Sequence, residues 1–310
     1  MSPSWTRRFS VAPSVKAGIA IGRNQICAVV LGADADKHEV RAIHTRDASG
    51  PLFAAQPTLA TEAGLAELLH AISDEFRDEF SAVHVALPDT VIRSTVLELD
   101  ELPKNADMRE ALLRWRFGKE WQRPEDSLGC SGFDMGADRG KHLFFGQAGD
   151  RLWLDCVQRA LGQAGIVPWS LNAAAAYRFN CFHDVIVRRE GALLSLDPDY
   201  WNLLLWDDAG RIRQVLTRFR EDISSEDEAA SIADEVERSI LAYLQADDSR
   251  RVDRFYLAGS EAEMGRLAGT LDVRLRERAV PLHADTGILG TAAGVRDGLI
   301  PLALAAALNT

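Results

Sequence analysis

Paired metal-binding cysteines are missing from this 310-residue chain. Its four cysteines, Cys27, Cys130, Cys156 and Cys181, form no C-x-x-C and sit in apolar contexts, which fits buried free thiols in a reducing compartment better than disulfides or a zinc site. Long apolar runs are also missing: the nearest, Leu299 to Leu308, is Ala-rich and well short of the roughly 20 residues that cross a membrane. Residues 1–14 carry Trp5, Arg7, Arg8 and Phe9 but no apolar stretch of the signal-peptide kind. They read as a flexible N-terminal arm, although a basic aromatic arm could also touch an anionic membrane surface. Positive charge is scarce, with 35 Lys and Arg against 46 Asp and Glu and a net charge of -11. Nucleic acid is therefore a poor partner, because phosphate-backbone affinity comes from clustered cations.

Catalytic signatures are equally scarce. No G-x-S-x-G elbow, H-E-x-x-H helix or dinucleotide fingerprint occurs, and the seven histidines are scattered, which leaves triad, zinc and Rossmann enzymes without support. Gly136 to Lys141 imitates a phosphate loop but is one residue short and runs into His142, so a solvated hairpin turn is expected there.

What is present is a large, well-patterned core. With 47% hydrophobic and 26% charged residues, the chain exceeds one ordinary core, and two lobes are expected. Ala17–Ile21, Gln25–Leu31 and Glu39–Ile43 read as a strand meander with turns at Gly22–Asn24 and Gly32–Lys37. Leu65, Leu68, Leu69, Ile72 and Phe76 then follow helical spacing from a Thr61 N-cap, and Ala82–Leu87 is a strand stopped by Pro88. The same order recurs later. Leu193–Asp197, Trp201–Trp206 and Ile212–Arg218 give three strands, with the last two joined at Asp207–Gly210. A helix with a Ser225/Glu228 capping box and an Ile232, Val236, Ile240, Tyr243, Leu244 stripe precedes the strand Phe255–Leu257 and the loop Ala258–Ser260. The pattern is an internal duplication.

Between the copies lies an insertion. Val91–Leu99 alternates like a strand, Asp107–Trp121 is a helix expected to bury Met108, Leu112 and Trp115 on one face, and Leu143–Ala148 is another strand. Asp150–Ala164 is a helix ended by Gly165, followed by a linker through Pro168 and Trp169 and an Ala-rich helix from Asn172.

This order, a twice-used ribonuclease-H-like unit with hairpin loops facing an adenosine loop, resembles the actin, Hsp70 and sugar-kinase superfamily over nearly the whole chain from about Lys16. Within it, GIAIGRNQICAVVL, ELPKNADMREALLRWRFGKEWQRPED, ALGQAGIVPWSLNAAAAYRF, VERSILAYLQ and RFYLAGS resemble the PilM family of type IV pilus assembly proteins, related to the division protein FtsA. The resemblance implies an α/β, actin-like two-lobed fold. The first lobe is 15–185 with an inserted subdomain at about 91–149, and the second is 186–310, with the C-terminal helix expected to pack back on the first.

The resemblance also implies a nucleotide site, and its residues are degenerate. Where ATP-binding relatives have D-x-G, this chain has Ala20-Ile21-Gly22, which offers no carboxylate for a metal. Asp197 keeps the acidic position of the second loop, but Pro198 removes an amide donor and Asp199 replaces a glycine beside phosphate. Gly259 remains in the adenosine loop, with Ser260 where a second glycine is usual. Gly22, Asp197 and Gly259 are thus either a vestigial nucleotide site or plain turn residues. No catalytic residue, metal ligand or cofactor is expected, although ATP binding without turnover stays open.

The implied role is a non-catalytic scaffold, a pseudo-ATPase, at the cytoplasmic face of an inner-membrane pilus or related secretion platform of the GspL kind. It would grip the N-terminal cytoplasmic tail of a PilN-like membrane protein between the first lobe and the insertion, and meet the membrane only through that partner. Trp121, Arg114 and Trp115 are the candidate partner-binding residues, as aromatic and Arg anchors carry interface energy, although Trp115 also fits a core position. A homo-oligomer is allowed. The alternative is an active actin-like ATPase or kinase holding ATP and magnesium between the lobes.

Overall fold

The computed structural model describes residues 16–32, 40–53, 57–75, 83–220, 228–275, 279–282 and 299–308. The arm 1–14, Phe76, Ala82, Ser225 and most of the Gly32–Lys37 turn lie outside the described residues.

The first lobe is built on β1 (Lys16–Ile21), β2 (Gln25–Leu31), β3 (Val40–Asp47), β4 (Val83–Leu87) and β8 (Pro168–Ala173), in the order β3-β2-β1-β4-β8. The meander is antiparallel, and β1-β4 and β4-β8 are parallel. Alternate side chains of β1 face opposite layers. Ala17, Ile19 and Ile21 meet α1 (Leu59–Glu75) and α3 (Arg151–Gln163), while Ala20 meets α4 (Ala174–Ile186) and α7 (Ile300–Leu308). Such two-sided burial explains the unbroken apolar runs of these strands. Helix α7 therefore packs on the first lobe.

The second lobe repeats the plan. β9 (Gly191–Leu196), β10 (Tyr200–Trp206), β11 (Ile212–Phe219), β12 (Arg254–Ala258) and β13 (Ala279–Pro281) run in the order β11-β10-β9-β12-β13, again with an antiparallel meander and two parallel pairings. One face is covered by α5 (Glu228–Gln245) and α6 (Glu261–Leu275). The other rests on Ala175, Phe179 and Ile186 of α4, so this one helix is a wall of both lobes.

The insertion is a β5-β7-β6 sheet of Ile92–Leu99, Lys141–Asp150 and Leu128–Asp138, covered by α2 (Ala106–Trp121). It leans on the second lobe through ion pairs of Arg211 and Arg213 with Asp138, Arg213 and Arg250 with Glu98, and Arg139 with Asp247.

Three local expectations change. The hydroxyl that caps α1 is that of Thr58, accepting the Thr61 amide at 3.2 Å, because the helix begins at Leu59. The segment read as a linker through Pro168 is the edge strand β8, and α4 starts at Ala174, since Ala173 still pairs with Leu87. On α2 the buried residues are Leu113 and Phe117, so the Met108–Leu112–Trp115 stripe faces outward, with Met108 and Trp115 about half exposed.

Candidate functional site

The two lobes meet at their first hairpins. In the first lobe the turn after β1 is closed by the Gly22 amide donating to the Gln25 carbonyl at 2.8 Å. A Cβ on Gly22 would come within 2.7 Å of the Leu299 side-chain methyl just before α7, so a larger residue there would have to displace that side chain. In the second lobe the Asp197 amide donates to the Tyr200 carbonyl at 2.9 Å. Arg23 of the first hairpin reaches Asp199 of the second at 2.9 Å. The acid standing in the glycine position is thus engaged by a cation of the opposite lobe. Gly22 and Asp197 line one cavity of about 350 Å³, together with Phe53, Tyr200, Phe219 and Leu302.

Behind this cavity is a buried polar cluster. Asp197 accepts two hydrogen bonds from Arg178 of α4, at 2.5 and 2.6 Å, with both side chains under 10% exposed. Burial alone lowers the Arg178 pKa, and the Asp197 carboxylate more than reverses it. Asp89, fully buried after β4, accepts the Ala175 amide at the start of α4. Burial raises the Asp89 carboxyl to about 7, against the opposing pull of Arg178. A raised folded-state pKa means that the native protein binds the extra proton between the ordinary carboxylate range and about 7. Stability contributed by neutral Asp89 is therefore present at the acid end of that window and lost as pH rises through it. Asp89→Asn is expected to flatten the dependence: chemical denaturation from pH 5 to 7 should show the native protein losing on the order of 1 kcal/mol per pH unit relative to the variant. A constant difference across that range would show that Asp89 does not titrate there.

The third loop is occupied by the protein's own side chains. Gly259 ends β12 against Leu196 and lies outside the lining of the cavity. Ser260 and Glu263 form a capping box at the start of α6: the Ser260 hydroxyl donates to the Glu263 carboxylate at 2.8 Å and accepts the Glu263 amide at 3.3 Å. Arg220 then joins the loops. Its guanidinium donates to the Asp197 carbonyl and to Glu263, each at 2.6 Å, and to Glu228 at the start of α5, while its amide donates to the Asp199 carbonyl at 2.9 Å. Helix N-termini attract phosphate through free amides and dipole charge. Here the starts of α5 and α6 already carry Glu228 and Glu263, bridged by Arg220.

Sequence reasoning missed Arg23, Asp89, Arg178 and Arg220. A signal existed for Arg178 alone, as a lone cation within the apolar Ala174–Phe179 stretch must find a partner. Among the described residues no group of three or more His, Cys, Asp or Glu is placed to hold a metal. Burial pushes the Cys27 and Cys130 thiols to about 12 and the Cys181 thiol to about 11, which makes them poor nucleophiles.

The α2 residues point in three directions. Arg114 pairs with Glu110 at 2.5 Å and lines a cavity of about 420 Å³ between the insertion and the first lobe, together with Asp107, Gln147, Asp155 and Leu171. Trp115 is on the outer face with Lys119 above its ring at 5.6 Å. Trp121 packs on Phe117 and lines a separate cavity. Among the described residues no helix is long and apolar enough to cross a membrane.

No protein-family model and no curated protein sequence matches the chain. Among solved structures, a chain of a PilM-PilN type IV pilus biogenesis complex matches with a TM-score of 0.73 and 16% identity, over 94% of this chain and 97% of that one. A Bacteroides thetaiotaomicron protein with an actin-like ATPase fold matches with a TM-score of 0.58 and 10% identity, over 95% and 96%. Two sheets of identical strand order, face to face across a cleft with a shared helical wall, and these two likenesses over almost the full chain, establish that the protein has the actin-like fold.

Proposed function

We propose that the protein is a non-catalytic actin-like scaffold of a type IV pilus or related secretion platform, at the cytoplasmic face of the inner membrane. The observation that carries this reading is the interlobe cleft, where the acidic second hairpin is engaged by the protein's own cations, Asp197 by Arg178 and Arg220 and Asp199 by Arg23. Ala20 is apolar and buried where a metal-organising carboxylate is needed. The likeness to a chain of a PilM-PilN complex supports a PilN-like partner, whose N-terminal cytoplasmic tail would tie the protein to the membrane.

The groove for that tail is the cavity between the insertion and the first lobe. Asp107, Glu110 and Asp155 on its walls suit a tail bearing Arg or Lys. Arg114 lies in the same groove, and Trp115 stands exposed one position further along α2. Calorimetry with the N-terminal peptide of the neighbouring membrane protein tests the reading: Glu110→Lys should weaken binding tenfold or more, about 1.4 kcal/mol. Equal affinity in the variant would move the partner elsewhere. The active-ATPase reading is tested in the same instrument, because tight magnesium-dependent ATP binding with turnover would replace the scaffold role.

A further inference from the structure

A second cavity, of about 550 Å³, opens where the insertion meets both lobes. Phe53, Trp153 and Thr90 come from the first lobe, Arg93 and Trp121 from the insertion, and Phe219 from the second lobe. Phe53 and Trp153 meet edge to face, with centroids 5.0 Å apart. Opposite them, the Arg93 guanidinium lies 5.1 Å from the Trp121 ring and 5.7 Å from the Phe219 ring.

Arg93 is unusual in having no hydrogen-bond or ion-pair partner among the described residues, although it is partly buried. Two carboxylates, Glu120 and Asp150, also line this cavity together with Arg123, and neither makes an ion pair with Arg93. Asp150 takes Arg123 at 3.1 Å and caps α3 by accepting the Leu152 amide, and Glu120 faces Arg116 at 4.0 Å. Arg218, which also faces Arg93, is held by Glu235 at 2.5 Å. Burial and the Arg218 charge push the Arg93 pKa down, against the pull of Glu120. The Trp121 indole N–H is likewise buried with no acceptor.

A guanidinium held beside aromatic rings without a hydrogen-bond partner keeps its planar fork of donors available, and that fork matches a carboxylate or a phosphate. The aromatic walls suit a planar apolar body. We propose that this cavity binds a small aromatic oxyanion, a carboxylate or phosphate carried on a planar ring, with Arg93 as its anchor. The site adjoins the hairpin cavity through the shared walls Phe53, Thr90 and Phe219, but its anchor Arg93 lies outside that cavity, where Arg23 is already paired with Asp199.

Calorimetry at low salt with phenyl phosphate, benzoate, inorganic phosphate and phenol tests the proposal. One of the two aryl anions should bind the native protein; the tighter of them identifies the oxyanion, and phenol and inorganic phosphate should both bind more weakly. Arg93→Met should lower that affinity roughly 10- to 100-fold. Arg93→Lys, which keeps the charge without the fork, should also weaken it. In the absence of ligand, Arg93→Met should melt no lower than the native protein, because it removes an unpaired, partly buried charge. Failure of both aryl anions to bind at millimolar concentration, equal affinity in the variants, or a large loss of ligand-free stability in both variants would overturn the proposal.

Discussion

Replacing Arg178 by alanine is expected to lower the unfolding free energy by about 3–5 kcal/mol, which is the usual cost of leaving the other member of a buried ion pair without its partner. The pair is set deep between α4 and the second hairpin, with Arg178 and Asp197 both under 10% exposed and joined by two hydrogen bonds. Without Arg178, the Asp197 carboxylate would lose both of its guanidinium hydrogen bonds beside the buried Asp89, so two acids would be strained together. Denaturant titration measures the loss. The double variant Arg178→Met with Asp197→Asn should lose clearly less when measured near pH 6, because no unpaired Asp197 carboxylate is left and Asp89, which burial raises to about 7, is mostly protonated there. If the single variant loses under about 1 kcal/mol, water reaches the pair and the lobes are not locked there. The Arg23–Asp199 contact makes a useful contrast. It also spans the lobes, but its side chains are 40% and 30% exposed, and solvent screening limits it to about 0–1 kcal/mol. The buried pair, not the visible bridge at the cleft mouth, holds the hairpins in place.

Gly18→Val is the second large effect. A Cβ at Gly18 would stand 2.0 Å from the Ala303 carbonyl oxygen and 2.3 Å from the Ala307 amide nitrogen of α7. Those neighbours are backbone, which cannot rotate away as a side chain end can, so the helix must lift as a body. The expected cost is about 3 kcal/mol, at the upper end of overpacking. Hydrogen exchange should locate it, with the α7 amides losing protection while the second-lobe sheet keeps its own. Unchanged exchange in α7 would show that β1 yields instead. Because α7 also places Leu299 against Gly22 and Leu302 in the wall of the hairpin cavity, its displacement should open that cavity.

The two effects share a functional meaning. An actin-like machine that turns over nucleotide needs lobes that close on a ligand and reopen. In this protein α4 is packed into both lobes, Arg178 ties it to the second hairpin, and Arg220 binds the three loops of the second lobe into one polar cluster. Such an arrangement favours a single relative placement of the lobes, which suits a scaffold that presents a fixed groove between insertion and first lobe.

Much of the fold was legible because its signals are local. Gly22–Asn24 and Asp207–Gly210 are turn sequences whose chemistry acts within a few residues, and Gly210 does take a positive φ of 75°. The helix of residues 228–245 shows its buried stripe in the spacing of Ile232, Val236, Ile240 and Tyr243. Even so, β8 was hidden, because Pro168–Ala173 opens on a proline, has no β-branched residue and alternates apolar and polar side chains over only Trp169 to Ala173, and pairing with the edge of β4 makes it a strand. The outward face of α2 was misjudged for a related reason. Met108, Leu112 and Trp115 form as good an apolar stripe as Leu113 and Phe117, and the choice fell to the side whose shape fits the β7 surface around Gly146 and Phe144.

The sequence by itself determined that one strand-and-helix unit is used twice and that an insertion interrupts the first copy. Only the tertiary structure decided which charges fill the resulting cleft. Arg23 and Asp199 are 176 residues apart, and Arg220 and Glu263 are 43 apart. No periodicity links such pairs, since ion pairing over those separations is selected by where the packed layers bring the side chains and by the cost of burying any charge left alone.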